Sequence, residues 1–364
     1  MSIQLDPWPP DFNELERVIT GRTAPRRVHF VELGIDGEVW NHLEQHIFQR
    51  ESASQPSSQG NYVHRLIDGY AHLGYDYVHI GCPMRNLPVF KERRTADSAA
   101  LSRGERSWVE EGGGIIKNWE DFERIDWAGI APDWSILDDV ARHLPQGMKV
   151  TIGSTVFEMI LERFLGYEDL FMLSVDNPDL VAKIFETWGQ KVYEAYEKAI
   201  GDPSVGAIFH ADDLGYKTGT MLSPSFLRQH VFPWFRRYAE LAHKHGKTYW
   251  YHCCGNVLEV MDDLLDDVGI DAFHSFQDVI ITIPQFVKRY GHRVAALGGI
   301  DMDKLARLDE TQLRSYVRDT LSQCMPGRFA LGSGNTIANY IPPGNYLAML
   351  QEGYNWRARP QGGR

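Results

Sequence analysis

Long apolar runs are missing from this chain, and no stretch reaches the ~18 to 20 residues a membrane-spanning helix needs. A positive balance is missing too. Over 364 residues there are 37 Lys and Arg against 49 Asp and Glu, a formal net charge of −12. That argues against a nucleic-acid backbone or an anionic membrane surface as the main partner. The opening MSIQLDPWPPDFNELERV has no basic n-region followed by an apolar h-region, so no export signal is read there. Cysteine is scarce. Cys82, Cys253, Cys254 and Cys324 are the four in the chain; they make no disulfide framework, and reduced thiols suit the expected cytoplasmic location. What is present is ordinary globular material, 43% hydrophobic and 24% charged residues, with ample substance for a core.

Short β-branched and aromatic runs recur, each closed by Gly or polar residues and most leading into a helical pattern. They are VHFVELG (28–34), YDYVHIG (75–81), KVTIGST (149–155), VGAIFHADD (205–213), KTYWYHCC (247–254), IDAFHSF (270–276), VAALGGI (294–300) and RFALGSG (328–334). Eight such runs alternating with helices, apolar enough to be buried on both faces, predict a (β/α)8 TIM barrel. A doubly wound open sheet is the competitor, weakened because no G-x-G-x-x-G follows the first run. With no internal repeat and no linker, residues 1–364 read as a single domain. Between the second and third runs, residues 82–148 form an excursion. RSWVEEGGGIIKNWEDFERIDW within it predicts a β-hairpin with a Gly-rich turn, and a βα connection should lie over the C-terminal mouth. QRESASQPSSQGN (49–61) reads as a polar loop.

In a barrel of this kind function collects where strands end. The ends supply Glu32, His79, Ser154, Gln277, Ser333 and Asn335 as candidate substrate-binding groups, and His210, Asp212 and Asp213 as candidate acid–base or orienting groups. Adjacent residues on a strand face opposite ways, so only one aspartate should line the mouth. Asp212, which shares parity with His210, is the expected one. Ser154, Ser275 and Asp301 also stand where a polar residue caps the next helix, while Cys82 and Cys324 read as loop and core residues. The stretch TYWYHCCGNV (248–257) says more. His252 and Cys254 are i and i+2, so imidazole and thiol point to one side. Nitrogen and sulfur are donors that Zn²⁺ favours in tetrahedral geometry. Cys253 points away and should pack. Two ligands, however, do not make a site.

Taken together, LGYDYVHIG, DDLGYKTGTMLSPSFLRQHVFPWFRRY, YHCCGNV, ALGGID and GSGNTIANYIPPGNYLAML resemble the uroporphyrinogen decarboxylase superfamily, from about residue 60 onward. The resemblance implies one (β/α)8 barrel with its active site at the C-terminal mouth, and it leads to two chemistries. The decarboxylases carry an RQAGR-type arginine motif that holds tetrapyrrole carboxylates, and end the eighth strand with LGHG. This chain has ERVITGRTAPRRVHFVELG, with Arg22, Arg26 and Arg27 outside any such motif, and LGSGN at the eighth strand. A bidentate arginine clamp depends on placement, so porphyrinogen decarboxylation is not expected. The corrinoid-dependent methyltransferase branch uses His-x-Cys after the fifth strand as two zinc ligands, implying His252 and Cys254 here. Its better-known members add a Cys after the eighth strand, where this sequence has Ser333, Gly334 and Asn335. The third donor would then come from Asp212, Glu32 or a substrate atom, unless the zinc is absent.

The resemblance therefore implies a methyltransferase that moves a methyl group between a small substrate, a thiol or a methyl ether, and a corrinoid (cobalamin) carried by a separate partner protein. Zinc would make the substrate anion, and the cobalt would carry the hard chemistry. The 10 Trp and 16 Tyr, several of them between positions 108 and 134, would suit an aromatic methyl ether or a flat macrocycle. Two alternatives stay open. One is a metal-free lyase of the same superfamily acting on a carboxylic acid through Asp212 and nearby arginines. The other is a tetrapyrrole- or corrinoid-binding barrel without turnover. The residues specify neither the methyl donor and acceptor nor an oligomeric state.

Overall fold

The computed structural model describes residues 5, 7–48, 59–90, 92–99, 101–102, 104–109 and 114–356. Most of the polar 49–61 loop and part of the Gly-rich turn lie outside them. Helices α1 (Phe12–Ile19), α2 (Gly37–His46) and α3 (Gln59–His72) precede β1 (Tyr77–Gly81). The excursion carries β2 (Met84–Arg85), β3 (Glu92–Ala96), β4 (Glu105–Val109), α4 (Trp119–Arg124), β5 (Ala131–Pro132) and α5 (Ser135–His143). β6 (Lys149–Gly153) leads through α6 (Phe157–Met159), a wider helical turn over Ile160–Leu165, and α7 (Tyr167–Asp176) to α8 (Pro178–Ile200). β7 (Val205–Ala211) is followed by α9 (Pro224–His230) and α10 (Phe232–Lys244), then come β8 (Thr248–His252) and β9 (Ala272–His274). After α11 (Ile283–Tyr290), β10 (Ala295–Ile300), α12 (Met302–Arg307), α13 (Glu310–Cys324), β11 (Phe329–Ser333) and α14 (Pro343–Asn355) complete the order.

β1, β6, β7, β8, β9, β10 and β11 pair in that order as one curled, seven-stranded parallel sheet. Most of them are apolar on both faces because they separate two cores, whereas β6 puts Val150 and Ile152 on the convex side and the buried Thr151 on the concave one. On the concave side Val31, Tyr77, Ala207, Phe209, Trp250, Ala272, Ala295, Leu297 and Ala330 meet Phe12, Leu15 and Ile19 of α1. Phe12 lies against Gly206 at the start of β7, and Arg328, just before β11, donates to the Ile19 carbonyl at 2.7 Å. α1 therefore closes the N-terminal ends of the strands. The convex side packs under the helices in a much larger core. Among the described residues no helix is long and apolar enough to cross a membrane.

The sequence predicts an eighth strand over 28–34, and the structure departs from that. This segment bridges β11 at Phe30 and Leu331 only, through Val31 N to Leu331 O at 2.9 Å and Leu331 N to His29 O at 2.8 Å. Toward β1 its partners are side chains. The Tyr77 hydroxyl donates to Glu32 O at 2.8 Å and accepts from Glu32 N at 3.0 Å. Asp76 takes Arg27 and His29, each at 2.6 Å. A phenol standing between two backbones fills the space a ladder would use, so 28–34 lies between the sheet edges without becoming a regular strand.

The hairpin in the excursion also differs from expectation. β3 pairs antiparallel with β4, with Ala96 opposite Glu105 at the closed end, ahead of the Gly-rich stretch. The expected return strand is helix α4 instead, because the Asn118 side chain accepts from Asp121 N and caps it. The turn leans on the segment after β11, with Asn339 Nδ2 donating to Asp97 Oδ2 at 2.7 Å.

Candidate functional site

Alternation along β8 decides what reaches the mouth. Trp250 belongs to the concave core, so His252 faces the same side, whereas Tyr251 and Cys253 are buried in the convex core. Cys254 lies just past the strand end. The loops that follow β7 and β8 then touch backbone to backbone. A Cβ on Gly255, which has φ +81°, would come 2.1 Å from Gly215 O, so only glycine fits there. That contact sets Asp213 beside Cys254, whose N–H donates to Asp213 Oδ1 at 2.6 Å.

The result is a three-donor cluster. His252 Nε2 lies 3.6 Å from Cys254 Sγ and 3.6 Å from Asp213 Oδ1, and the three ligand atoms all fall within 4.8 Å of one another. Asn335 Nδ2 donates to Cys254 Sγ at 3.1 Å. Burial and the Asp213 carboxylate push the Cys254 thiol far up, so without a nearby cation it stays protonated. Burial also raises Asp213. Glu158 is raised to about 10 by its own burial and by Asp213, Asp212 and Glu162. The pocket is thus crowded with acidic groups that a cation would relieve.

The orientation of His252 is fixed from behind. Its Nδ1 lies 2.6 Å from His274 Nδ1, and His274 Nε2 lies 3.0 Å from the Ser333 carbonyl. Burial lowers His252 to about 3 and His274 well below its usual range, so both rings are neutral. A carbonyl only accepts, so His274 carries its proton on Nε2 and presents Nδ1 as acceptor. His252 must then donate from Nδ1, which leaves the Nε2 lone pair facing Cys254 and Asp213. Ser333 is tied in turn to Glu32, its N–H and hydroxyl donating to the carboxyl at 2.9 and 2.5 Å. Burial raises Glu32 to about 8.

Not every residue expected at the mouth is there. His210 and Asp212 share parity, but they face the convex side, since Ala207 and Phe209 take the concave positions. His210 Nδ1 meets the Tyr196 hydroxyl at 2.9 Å, its ring packed by Phe235, Tyr238, Tyr249 and Tyr251. Asp212 accepts the N–H groups of Val156, Phe157 and Glu158, each at 2.7 Å, and so caps the start of α6. The carboxylate beside the His/Cys pair is therefore Asp213, neither Asp212 nor Glu32. In β7 even and odd positions are both apolar up to Phe209, so the pattern gives the parity but not its sense.

His79 lies on the concave side against Phe209, its Nδ1 3.0 Å from Thr151 Oγ1, and burial lowers it to about 4. Ser275 Oγ lies 3.9 Å from Cys254 Sγ. Ser154 accepts Ala211 N through its carbonyl, and Gln277 accepts Ile280 N the same way, so both are placed by backbone bonds. Glu158 and His274 are two residues at the site that the sequence pattern does not single out. A scan of first helical turns for acids would have found Glu158. His274 has the same parity in its strand as Ala272, which is concave.

No protein-family profile and no curated protein sequence matches this chain. Solved structures do. A methyltransferase from Methanosarcina mazei superposes with a TM-score of 0.65 at 14% identity, covering 94% of this chain and 98% of the other. A Listeria monocytogenes protein classed provisionally as a vitamin-B12-independent methionine synthase gives a TM-score of 0.45 at 14% identity, covering 92% and 98%. A sugar phosphate isomerase/epimerase from Parabacteroides distasonis gives 0.39 at 11% identity, covering 91% and 95%. The chain thus shares a TIM-barrel-like α/β fold with a solved methyltransferase.

Proposed function

We propose that this chain is a single-domain (β/α)8 methyltransferase in which His252, Cys254 and Asp213 hold a zinc ion at the C-terminal mouth. The observation that carries the reading is the convergence of these three donors, with the His252 lone pair aimed between thiol and carboxylate. The donor set suits Zn²⁺, and three protein ligands with an open fourth position are the pattern of catalytic zinc. When bound, the ion would lower the pKa of a substrate thiol or hydroxyl so that a nucleophilic anion exists near neutral pH. The chain's own residues do the rest. Asn335 holds Cys254 Sγ, His274 holds His252, and Glu158, whose carboxyl interacts with Asp213, is the group assigned to exchange a proton with the substrate. The methyl group would pass between substrate and the corrinoid of a partner protein. The shared fold with a solved methyltransferase and the His-x-Cys pattern support this.

The metal-free reading has one observation in its favour. A carboxyl raised to about 10 is an acid at neutral pH and could protonate the carbanion left by decarboxylation of a small acid. Elemental analysis and methylcobalamin demethylation by a thiol separate the two. Stoichiometric zinc with zinc-dependent loss of the methylcobalamin spectrum supports the methyltransferase. Zinc-loaded protein without stoichiometric metal refutes it.

A further inference from the structure

Away from the mouth, a second group of metal-ligating side chains converges. His64 stands on α3, Asp139 and His143 stand on α5, and the two helices pack against each other in the outer layer. Asp139 and His143 are four residues apart, so the helical pitch stacks them one turn above the other on one face. One ligand atom from each of the three residues lies within 4.8 Å of the others.

Several features distinguish this group from an ordinary surface ion pair. His64 Nε2 lies 3.0 Å from Asp139 Oδ2, and that nitrogen is itself shielded from solvent. The His143 ring lies flat against the His64 ring, with centroids 3.3 Å apart and planes at 29°. His143 Nδ1 is 2.8 Å from the Asp139 carbonyl and donates to it. The same nitrogen lies 3.8 Å from Asp139 Oδ1. Arg142 binds the other carboxylate oxygen at 3.2 Å and holds Asp139 in place.

We propose that His64, Asp139 and His143 form a second site, for a divalent transition metal, that clips α3 to α5. Two imidazoles and a carboxylate suit Zn²⁺, Ni²⁺ or Cu²⁺ rather than Mg²⁺ or Ca²⁺, which take all-oxygen shells. Bonds of ~2.0–2.2 Å need the donors closer than they stand, so binding draws the two side chains of α5 toward His64. Water completes the shell, because the three side chains are 29%, 27% and 40% exposed.

The test uses the full chain with Cys254→Ala as background, so that the mouth cluster contributes no thiolate. Metal-free protein is dialysed against Cu²⁺ or Zn²⁺ alone, with metal counted by elemental analysis and copper ligation read by electron paramagnetic resonance. The expected result is one tightly held equivalent per chain with hyperfine splitting from two nitrogens. Adding His143→Ala or His143→Gln should remove that equivalent, and adding His64→Ala should do the same. An unchanged equivalent and unchanged splitting in both His64→Ala and His143→Gln would overturn the proposal, as would a Cys254→Ala protein that holds no metal. The mouth reading is scored separately, by the equivalent that Cys254→Ala itself removes.

Discussion

Replacing each of the two neighbouring aspartates by asparagine separates the fold from the site. Asp212 is fully buried, and its carboxylate takes Val156 N and Phe157 N on Oδ2 and Glu158 N on Oδ1, each at 2.7 Å. Asparagine has one acceptor oxygen and one amide nitrogen. Whichever way the amide turns, at least one backbone N–H faces an NH₂ group, and the surviving bonds lose their ionic assistance. An orphaned buried donor costs ~1–3 kcal/mol, and a hydrogen bond to a charged group is worth ~1.5–3 kcal/mol against ~1 for a neutral one, so Asp212→Asn should lose about 2–5 kcal/mol. Asp213 is different. Its side chain is 31% exposed, and an asparagine oxygen still accepts Cys254 N, so the stability change should stay within about 1 kcal/mol. An amide is a far weaker zinc donor than a carboxylate, and zinc affinity should fall tenfold or more. Urea melts of metal-free protein and zinc competition against a chelating dye read the two effects. A stable Asp212→Asn protein that has lost its metal, beside an Asp213→Asn protein that keeps it, would refute the assignment.

Cys254→Ala should abolish zinc binding and methyl transfer while Cys253→Ala keeps both and loses roughly 1–2 kcal/mol of stability; equal behaviour of the two in metal content and turnover would count against the site. His274→Phe removes the group that sets the His252 tautomer, and zinc affinity should drop ~10–100-fold; nitrogen-15 spectra of the metal-free protein should show His252 shifting away from its Nδ1–H form. Glu32, raised to about 8, binds its proton more tightly folded than unfolded. Its contribution to stability is therefore present below the unfolded carboxyl range and is lost as pH rises toward 8. Glu32→Gln should remove that loss, so the stability gap between variant and wild type should move in the variant's favour by a few kcal/mol between pH 5 and 8, on the order that a shift of this size allows; parallel pH curves would show the burial argument wrong.

Much of this was legible in sequence because a parallel sheet buried on both faces leaves apolar runs at regular intervals, and seven of the runs are strands of one sheet. The i, i+2 spacing of His252 and Cys254 leaves Nε2 and Sγ 3.6 Å apart, since Trp250 and Tyr251 send their neighbours to opposite sides of β8. The same rule placed Asp212 wrongly, because parity says which residues share a face and not which face is concave. Segment 28–34 has strand composition but meets a tyrosine hydroxyl where a backbone should be. Asp213 joins the cluster through a contact between Gly215 and Gly255 from two separate loops, a tertiary event with no trace in local pattern. Glu158 stands in the turn after β6, and nothing in its local pattern marks it as a partner of Asp213.

That tyrosine has a consequence for motion. Where the two edges of the curled sheet come together, the fastening is one phenol and the Asp76 clasp with Arg27 and His29, in place of a row of amide bonds. The structure is a belt with a buckle. Slackening it breaks two bonds of the phenol, ~1 kcal/mol each, and two bonds to the buried Asp76 carboxylate, ~1.5–3 kcal/mol each. Glu32 sits at the buckle by its backbone and grips Ser333 by its side chain, and Ser333 steers His274 and His252. A shift of the buckle is therefore passed, link by link, to the nitrogen that faces the mouth.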